Sequence, residues 1–210
     1  MNSVSARDHW QSVYQQNPSD EVSWFQTTPS PSLELLHDIG INQGTSIIDI
    51  GGGSSCLVDH LLAAGIERIT VLDISEAALE ASQKRIGDDA RHVEWIVSDV
   101  TRWTPATAFD IWHDRAAFHF LTKPDDIRAY IERLKSSLKP GGHAIIGTFA
   151  LDGPEYCSGL PVMRYDSSLL QKQLGLEFEL VASKHHRHLT PGKFEQSFQF
   201  SVFRYNPDAG

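Results

Sequence analysis

Apolar residues along this chain change their spacing near residue 45, and the change separates two kinds of pattern. Before it, Trp10, Val13 and Tyr14 fall at three- and four-residue spacing, which predicts a helix over Ser5–Gln16; a second helical stretch, Ser32–Ile39, opens after Pro29 and Pro31. From Ser46 onward, short continuous apolar runs alternate with helix-spaced ones. "SIIDI" leads into the amphipathic "SSCLVDHLLAAG", which closes on Gly65; "RITVLDI" leads into "SEAALEASQKRIG", with Ser75 placed to cap the start and Gly87 to end it. "HVEWIV" and "FDIWHD" follow as strands, then a helix "KPDDIRAYIERLKSSL" with Pro124 in its first turn, the turn "KPGG" and the apolar run "HAIIGTFA".

Continuous apolar runs describe strands covered on both faces, and strand-helix alternation describes parallel pairing. The last sixty residues differ: "LEFELVASKHHRHL" and "FEQSFQFSVFRY" both read as strands and are separated only by "TPGK", so they must be antiparallel. The expected fold is α/β, a mostly parallel sheet finished by a C-terminal antiparallel hairpin, with helices on both faces. No repeat, low-complexity tract or linker interrupts it, so residues 1–210 are expected to form one domain.

Composition narrows the function classes. Hydrophobic residues make up 40% and charged residues 21% of the 210, an ordinary globular balance that fits neither disorder nor a fibre. A net charge of −9 disfavours phosphate backbones and anionic membranes as partners, so no nucleic acid and no membrane are expected. No apolar run approaches the roughly 18 residues of a span, and "MNSVSARDHWQ" has no hydrophobic signal core, which leads us to expect a cytoplasmic protein. Cys56 and Cys157 stand far apart without a CxxC, which excludes a disulfide framework or zinc knuckle.

The candidate chemistry begins where the first strand runs into Gly51, Gly52 and Gly53. Glycines ending a strand and opening a helix allow a sharp turn and close ligand approach, and ligands in open α/β sheets bind at the carboxyl ends of strands. The dinucleotide fingerprint needs a third glycine where this chain has Cys56. Asp49 inside the loop would repel phosphate and suits a cation or an ammonium group. Asp73 ends the second strand 73 − 53 = 20 residues after the last glycine, where a carboxylate can accept from both hydroxyls of a ribose. Asp99 ends the third, where an acid could accept from an adenine amino group.

With three carboxylates at three successive strand ends, the sequence resembles the class I S-adenosylmethionine-dependent methyltransferases. The resemblance covers Ser46–Ala150 best and implies a Rossmann-like, seven-stranded sheet and S-adenosyl-L-methionine as cofactor. It places Asp49 and Gly51–Gly53 under the methionine part, Asp73 with Ile74 at the ribose, and Asp99 with Val100 at the adenine. It also implies that residues 1–44 form a helical lid in which Trp24 contacts the cofactor, with Trp10, Tyr14 and Phe25 nearby. A loop glycine common in that family is Ser55 here. "HW..VY", "VSWF" and "WHDRA" look like the subgroup containing the citrate synthase and elongation factor lysine methyltransferases, although Ala116 stands where that subgroup has glycine.

The family's fourth strand end faces the transferable methyl group, which makes His113, Asp114 and Arg115 the catalytic candidates. His119, Cys157, Arg164 and Tyr165 are candidates on the acceptor side, the last three in the long loop "TFALDGPEYCSGLPVMRYD". A thiolate at Cys56 would be stabilised at a helix start, and with Cys157 it could hold a soft acceptor. His186 and His188 share a strand face without an assignable third ligand, so no metal is expected. The function implied is methyl transfer by direct displacement to a small-molecule or protein side-chain acceptor. The alternatives are a Rossmann-type nucleotide-binding oxidoreductase and a non-catalytic cofactor-binding module.

Overall fold

Each apolar run of the sequence divides its side chains between two faces, and that division builds the molecule. The computed structural model describes Ser5–Ala209. Its main sheet takes β1 (Ser46–Ile50), β2 (Arg68–Asp73), β3 (Val93–Val97), β4 (Phe109–Arg115) and β5 (Leu138–Phe149), together with β8 (Phe178–Leu189) and β9 (Glu195–Tyr205). Two short strands, β6 (Tyr156–Cys157) and β7 (Leu160–Pro161), pair with each other outside it. The seven strands run in the order β3-β2-β1-β4-β5-β9-β8. β1 to β5 are parallel, and β9 runs antiparallel to both β5 and β8.

Alternation along a strand sends neighbours to opposite faces. Ile47, Ile111 and Ile145 join one core with α2 (Ser30–Ile39), α3 (Leu57–Ala63) and α4 (Glu76–Ile86). Ile48, Trp112 and Ile146 join the other with α5 (Pro124–Ser137) and α6 (Ser167–Leu174). Both faces being covered is why these strands read as unbroken hydrophobic stretches. The fold is therefore the one expected, seven-stranded, with its C-terminal antiparallel pair.

Four local differences have physical reasons. α3 begins at Leu57 rather than Ser54, because the Ser55 amide closes a turn on the Gly52 carbonyl before the helix can start. "KPGG" is absorbed into β5 as an irregularity in its pairing with β4, at Gly141, whose φ is +78°. A 3₁₀ turn, Phe118–Phe120, follows β4, its entry held by Asp114. α6 lies between the long loop and β8, where the sequence pattern assigns no element, its start capped by Asp166, which accepts from the Leu169 amide. α1 (Ala6–Gln16) and the segment after it cross the carboxyl ends of the parallel strands.

Candidate functional site

The helices that follow β1 and β2 pack on one face and α5, which follows β4, packs on the other, so the chain diverges between the neighbouring strands β1 and β4. Such a divergence leaves a crevice at the carboxyl ends of the strands. The glycine loop lies there. The Gly51 and Gly52 amides donate to the Leu72 carbonyl at 2.7 and 3.3 Å, which folds the loop back over β2. Gly53 has φ +43°, and a Cβ on it would lie 2.8 Å from the Tyr14 hydroxyl and 2.9 Å from Asp73 Oδ2. Only glycine suits that position, and the same contact shows α1 laying Tyr14 directly against the loop and the second strand-end acid. From the other side α4 clamps the loop: Ser82 Oγ donates to the Gly53 carbonyl, and Arg85 donates to the carbonyls of Ser54 and Ser55 while pairing with Asp59.

Asp73 is buried at the end of β2, and its Oδ1 accepts from the Ser75 amide at 2.8 Å. Burial pushes its pKa up to about 7, partly opposed by the Ser75 amide and reinforced by the charge of Asp49. Burial, followed by the field of Asp73, raises Tyr14 well above the ordinary phenol range. Asp99 is only partly covered; its Oδ1 accepts from the Thr101 amide and hydroxyl at 2.9 and 2.7 Å. The Ser98 amide donates to the Asp73 carbonyl at 2.9 Å, which sets the two strand-end acids side by side. Ile74 follows Asp73 partly exposed, and Val100 packs at the edge of the second core.

Asp49 belongs to a buried chain. His113 Nδ1 donates to its Oδ1 at 2.6 Å, and the Ser32 hydroxyl meets His113 Nε2 at 2.8 Å. The line ties β1, β4 and α2 together, and all three side chains are almost fully covered. Nδ1–H donates to the carboxylate, and the Ser32 hydroxyl closes the line at Nε2. The other Asp49 oxygen sits beneath Gly52, where a Cβ would come within 2.7 Å of it.

The remaining candidates part company. Asp114 points to the opposite core: it accepts from the amides of Ala117 and Phe118 and from the Tyr130 hydroxyl at 2.6 Å, and burial pushes its pKa up to about 6 despite those donors. Arg115 stays on the loop side, donating to the Trp24 carbonyl and Gln26 Oε1. His119 is buried and its Nδ1 accepts from the Phe149 amide, so the neutral ring carries its proton on Nε2; burial brings its pKa down to about 3. Tyr165 is buried with its ring 5.4 Å from that of Phe118. Arg164 is spent on the loop itself, binding Glu155 and the Gly153 carbonyl. Burial raises the thiols of both Cys56 and Cys157, so Cys56 gains no thiolate stabilisation from opening α3. His188 donates to the Ser23 carbonyl at 2.8 Å, drawing the N-terminal segment onto the hairpin.

That segment brings Trp24 into an aromatic group with Trp10, Tyr14 and Phe120. Gln11 fixes α1 in place: its Oε1 accepts from the Ser75 hydroxyl and the Ala77 amide at the start of α4. Sequence reasoning did not single out Gln11, Ser32, Ser82 or Arg85. The helical spacing of Trp10, Val13 and Tyr14 was the available signal for α1 docking; nothing in the local pattern marks Ser32 as the partner of a strand-end histidine.

Residues 47–142 match the family model described as a methyltransferase domain. The chain is 27% identical over 147 residues to nodulation protein S of Sinorhizobium fredii, covering 69% of this chain and 62% of that protein. It is 29% identical over 162 residues to a probable thiol methyltransferase 2 of Arabidopsis thaliana, covering 73% and 68% respectively. Its structure superposes on that of the N-methyltransferase NodS from Bradyrhizobium japonicum, solved with S-adenosyl-L-homocysteine, with a TM-score of 0.72 at 18% identity, covering 95% of this chain and 100% of that one. The chain spans 47% to 62% of the length of three nodulation protein S relatives. The α/β core thus has a Rossmann-like fold, shared with the N-methyltransferase NodS.

Proposed function

We propose that the protein is an S-adenosylmethionine-dependent methyltransferase, transferring the methyl group by direct displacement to a small-molecule or protein side-chain acceptor. The observation that carries the reading is the set of three carboxylates at adjacent strand ends, Asp49, Asp73 and Asp99, arranged around a glycine loop packed so tightly between Asp49, Asp73, Tyr14 and Ala117 that no side chain fits on it. Asp73, buried at the end of β2 with its pKa raised by burial despite backbone donors, fits a ribose whose two hydroxyls would donate to it. Asp99 has its Oδ2 held only by a distant, exposed Arg102 at 4.0 Å, which suits an adenine amino group, and the rings of Trp24 and Tyr14 suit a sulfonium. The bound cofactor would supply the electrophilic methyl; the chain's task is to align an acceptor with it and exclude water.

Residues 1–210 are read as one domain in which residues 1–44 cover the cofactor. The relative named a probable thiol methyltransferase supports a small-molecule acceptor, while the Asp114-Arg115 pair, followed by alanine in place of glycine, supports kinship with the lysine methyltransferases. The acidic net charge argues against nucleic acid, and no helix among the described residues is long and apolar enough to cross a membrane. Asp114 acts as a support for the turn after β4, and neutral His119 has its basic nitrogen already occupied, so the reading requires no proton abstraction by either.

The test is thermal. At about 100 times its dissociation constant, S-adenosylhomocysteine should stabilise the protein by roughly 2.7 kcal/mol, a rise in Tm of about 5–10 °C for a chain of this size. No shift at millimolar ligand would sink the reading, and a shift with a nicotinamide cofactor instead would favour the oxidoreductase.

A further inference from the structure

Arg115 leaves the carboxyl end of β4 with its guanidinium turned toward the glycine loop. Nη1 donates to the Trp24 carbonyl at 3.0 Å and to Gln26 Oε1 at 2.7 Å, both neutral acceptors. Among the described residues, no carboxylate lies within 4.0 Å of its nitrogens. The groups whose fields it feels are Asp49, Tyr14 and Cys56, all bordering the loop, and burial draws its pKa down. Asp49 is already engaged by His113. A half-buried guanidinium resting on neutral oxygens, its charge offset only by the field of Asp49 and not by a carboxylate in contact, has surroundings favourable for an anion.

We propose that Arg115 is a carboxylate receptor, and that the carboxylate it holds is the one on the amino-acid end of the sulfonium cofactor. The inference rests on the methyltransferase reading and gives Arg115 a binding role in place of proton transfer, in keeping with a guanidinium that does not give up its proton. The loop supports the assignment. The amino-acid end would extend from a ribose held at Asp73 toward Asp49 and Gly51–Gly53, and Arg115 is a cation whose field reaches the same groups, Asp49 and Tyr14. An acceptor carrying a carboxylate would satisfy the same guanidinium, so the experiment separates the two sources.

Calorimetric binding of two probes to the full chain makes the distinction. S-adenosylhomocysteine has the carboxylate; 5′-methylthioadenosine shares its adenosine and thioether but has no amino-acid end. Arg115→Gln should weaken S-adenosylhomocysteine about tenfold or more, leave 5′-methylthioadenosine within about twofold, and be partly rescued by Arg115→Lys. Retained binding of the second probe shows that the variant is folded. Unchanged affinity for S-adenosylhomocysteine in Arg115→Gln would hand the guanidinium to the acceptor and overturn the assignment. Equal losses for both probes would make Arg115 a brace between β4 and the N-terminal segment and overturn it too. Wild-type protein that binds neither probe would remove the methyltransferase reading itself, and that failure is seen before any variant is made.

Discussion

At Asp73, burial and binding act against each other. An acid kept away from water resists ionisation, and the Ser75 amide only partly relieves it, which leaves the pKa near 7. The folded pKa lies above the unfolded one, so the protonated form favours folding: that contribution is complete below the ordinary value of 3.8 and is lost as pH rises through about 7. The span corresponds to roughly 4 kcal/mol at most. Asp73→Asn keeps an oxygen for the Ser75 amide and removes the charge. It should therefore raise the Tm of ligand-free protein at pH 8, with the gain shrinking toward pH 4, and weaken cofactor binding at the same time. Calorimetric unfolding across that range checks it; a variant less stable than wild type at pH 8 would show that the ionised carboxylate is satisfied by groups other than the ligand.

At the scale of elements, strands and helix caps were legible because period and punctuation are local. Ser75 and Gly87 end α4 as their types predict, and the strand-end position of Asp73 follows from the length of "RITVLDI". What a strand-end side chain faces is not local. His113, Asp114 and Arg115 are consecutive, so pleating sends Asp114 to the opposite face from its neighbours, into the core with Tyr130 and Trp112. The partners that decide this lie on α2, α5 and the N-terminal segment, far away in the sequence. α6 and the turn after β4 were missed because their starts depend on capping by Asp166 and Asp114, not on a long periodic run. Tyr130 links the second core: it donates to Asp114 and accepts from Trp112 Nε1 at 2.8 Å. Tyr130→Phe leaves both partners short of a bond, an expected loss of about 1–3 kcal/mol. Since the lost bond favours ionised Asp114, whose pKa is already about 6, the cost should be larger at pH 8 than at pH 5 in denaturant titrations. An equal cost at both would mean that Asp114 does not titrate with folding.

For the whole molecule, the N-terminal segment crosses the carboxyl ends of the strands from α4 to the C-terminal hairpin. α1 is pinned to α4 through Gln11, the segment behind it is pinned to the hairpin through His188, and the β8 edge beyond carries Lys184 and Arg187, charges that discourage further pairing. The cover seals Asp73 from water, which links proton uptake to ligand binding: in the ligand-free protein Asp73 is about half protonated near pH 7, whereas ribose hydroxyls donate best to its ionised form. S-adenosylhomocysteine should therefore bind with proton release below pH 7, its affinity rising up to about tenfold per pH unit and levelling off above. Calorimetry in buffers of different ionisation heat reads the released proton directly. Gln11→Ala, which loosens α1 without touching Asp73's own bonds, should move the levelling point toward lower pH as water reaches the carboxylate. An affinity flat from about pH 5.5 to 8.5 in the wild type would separate the cover from the binding step and leave α1 as packing alone.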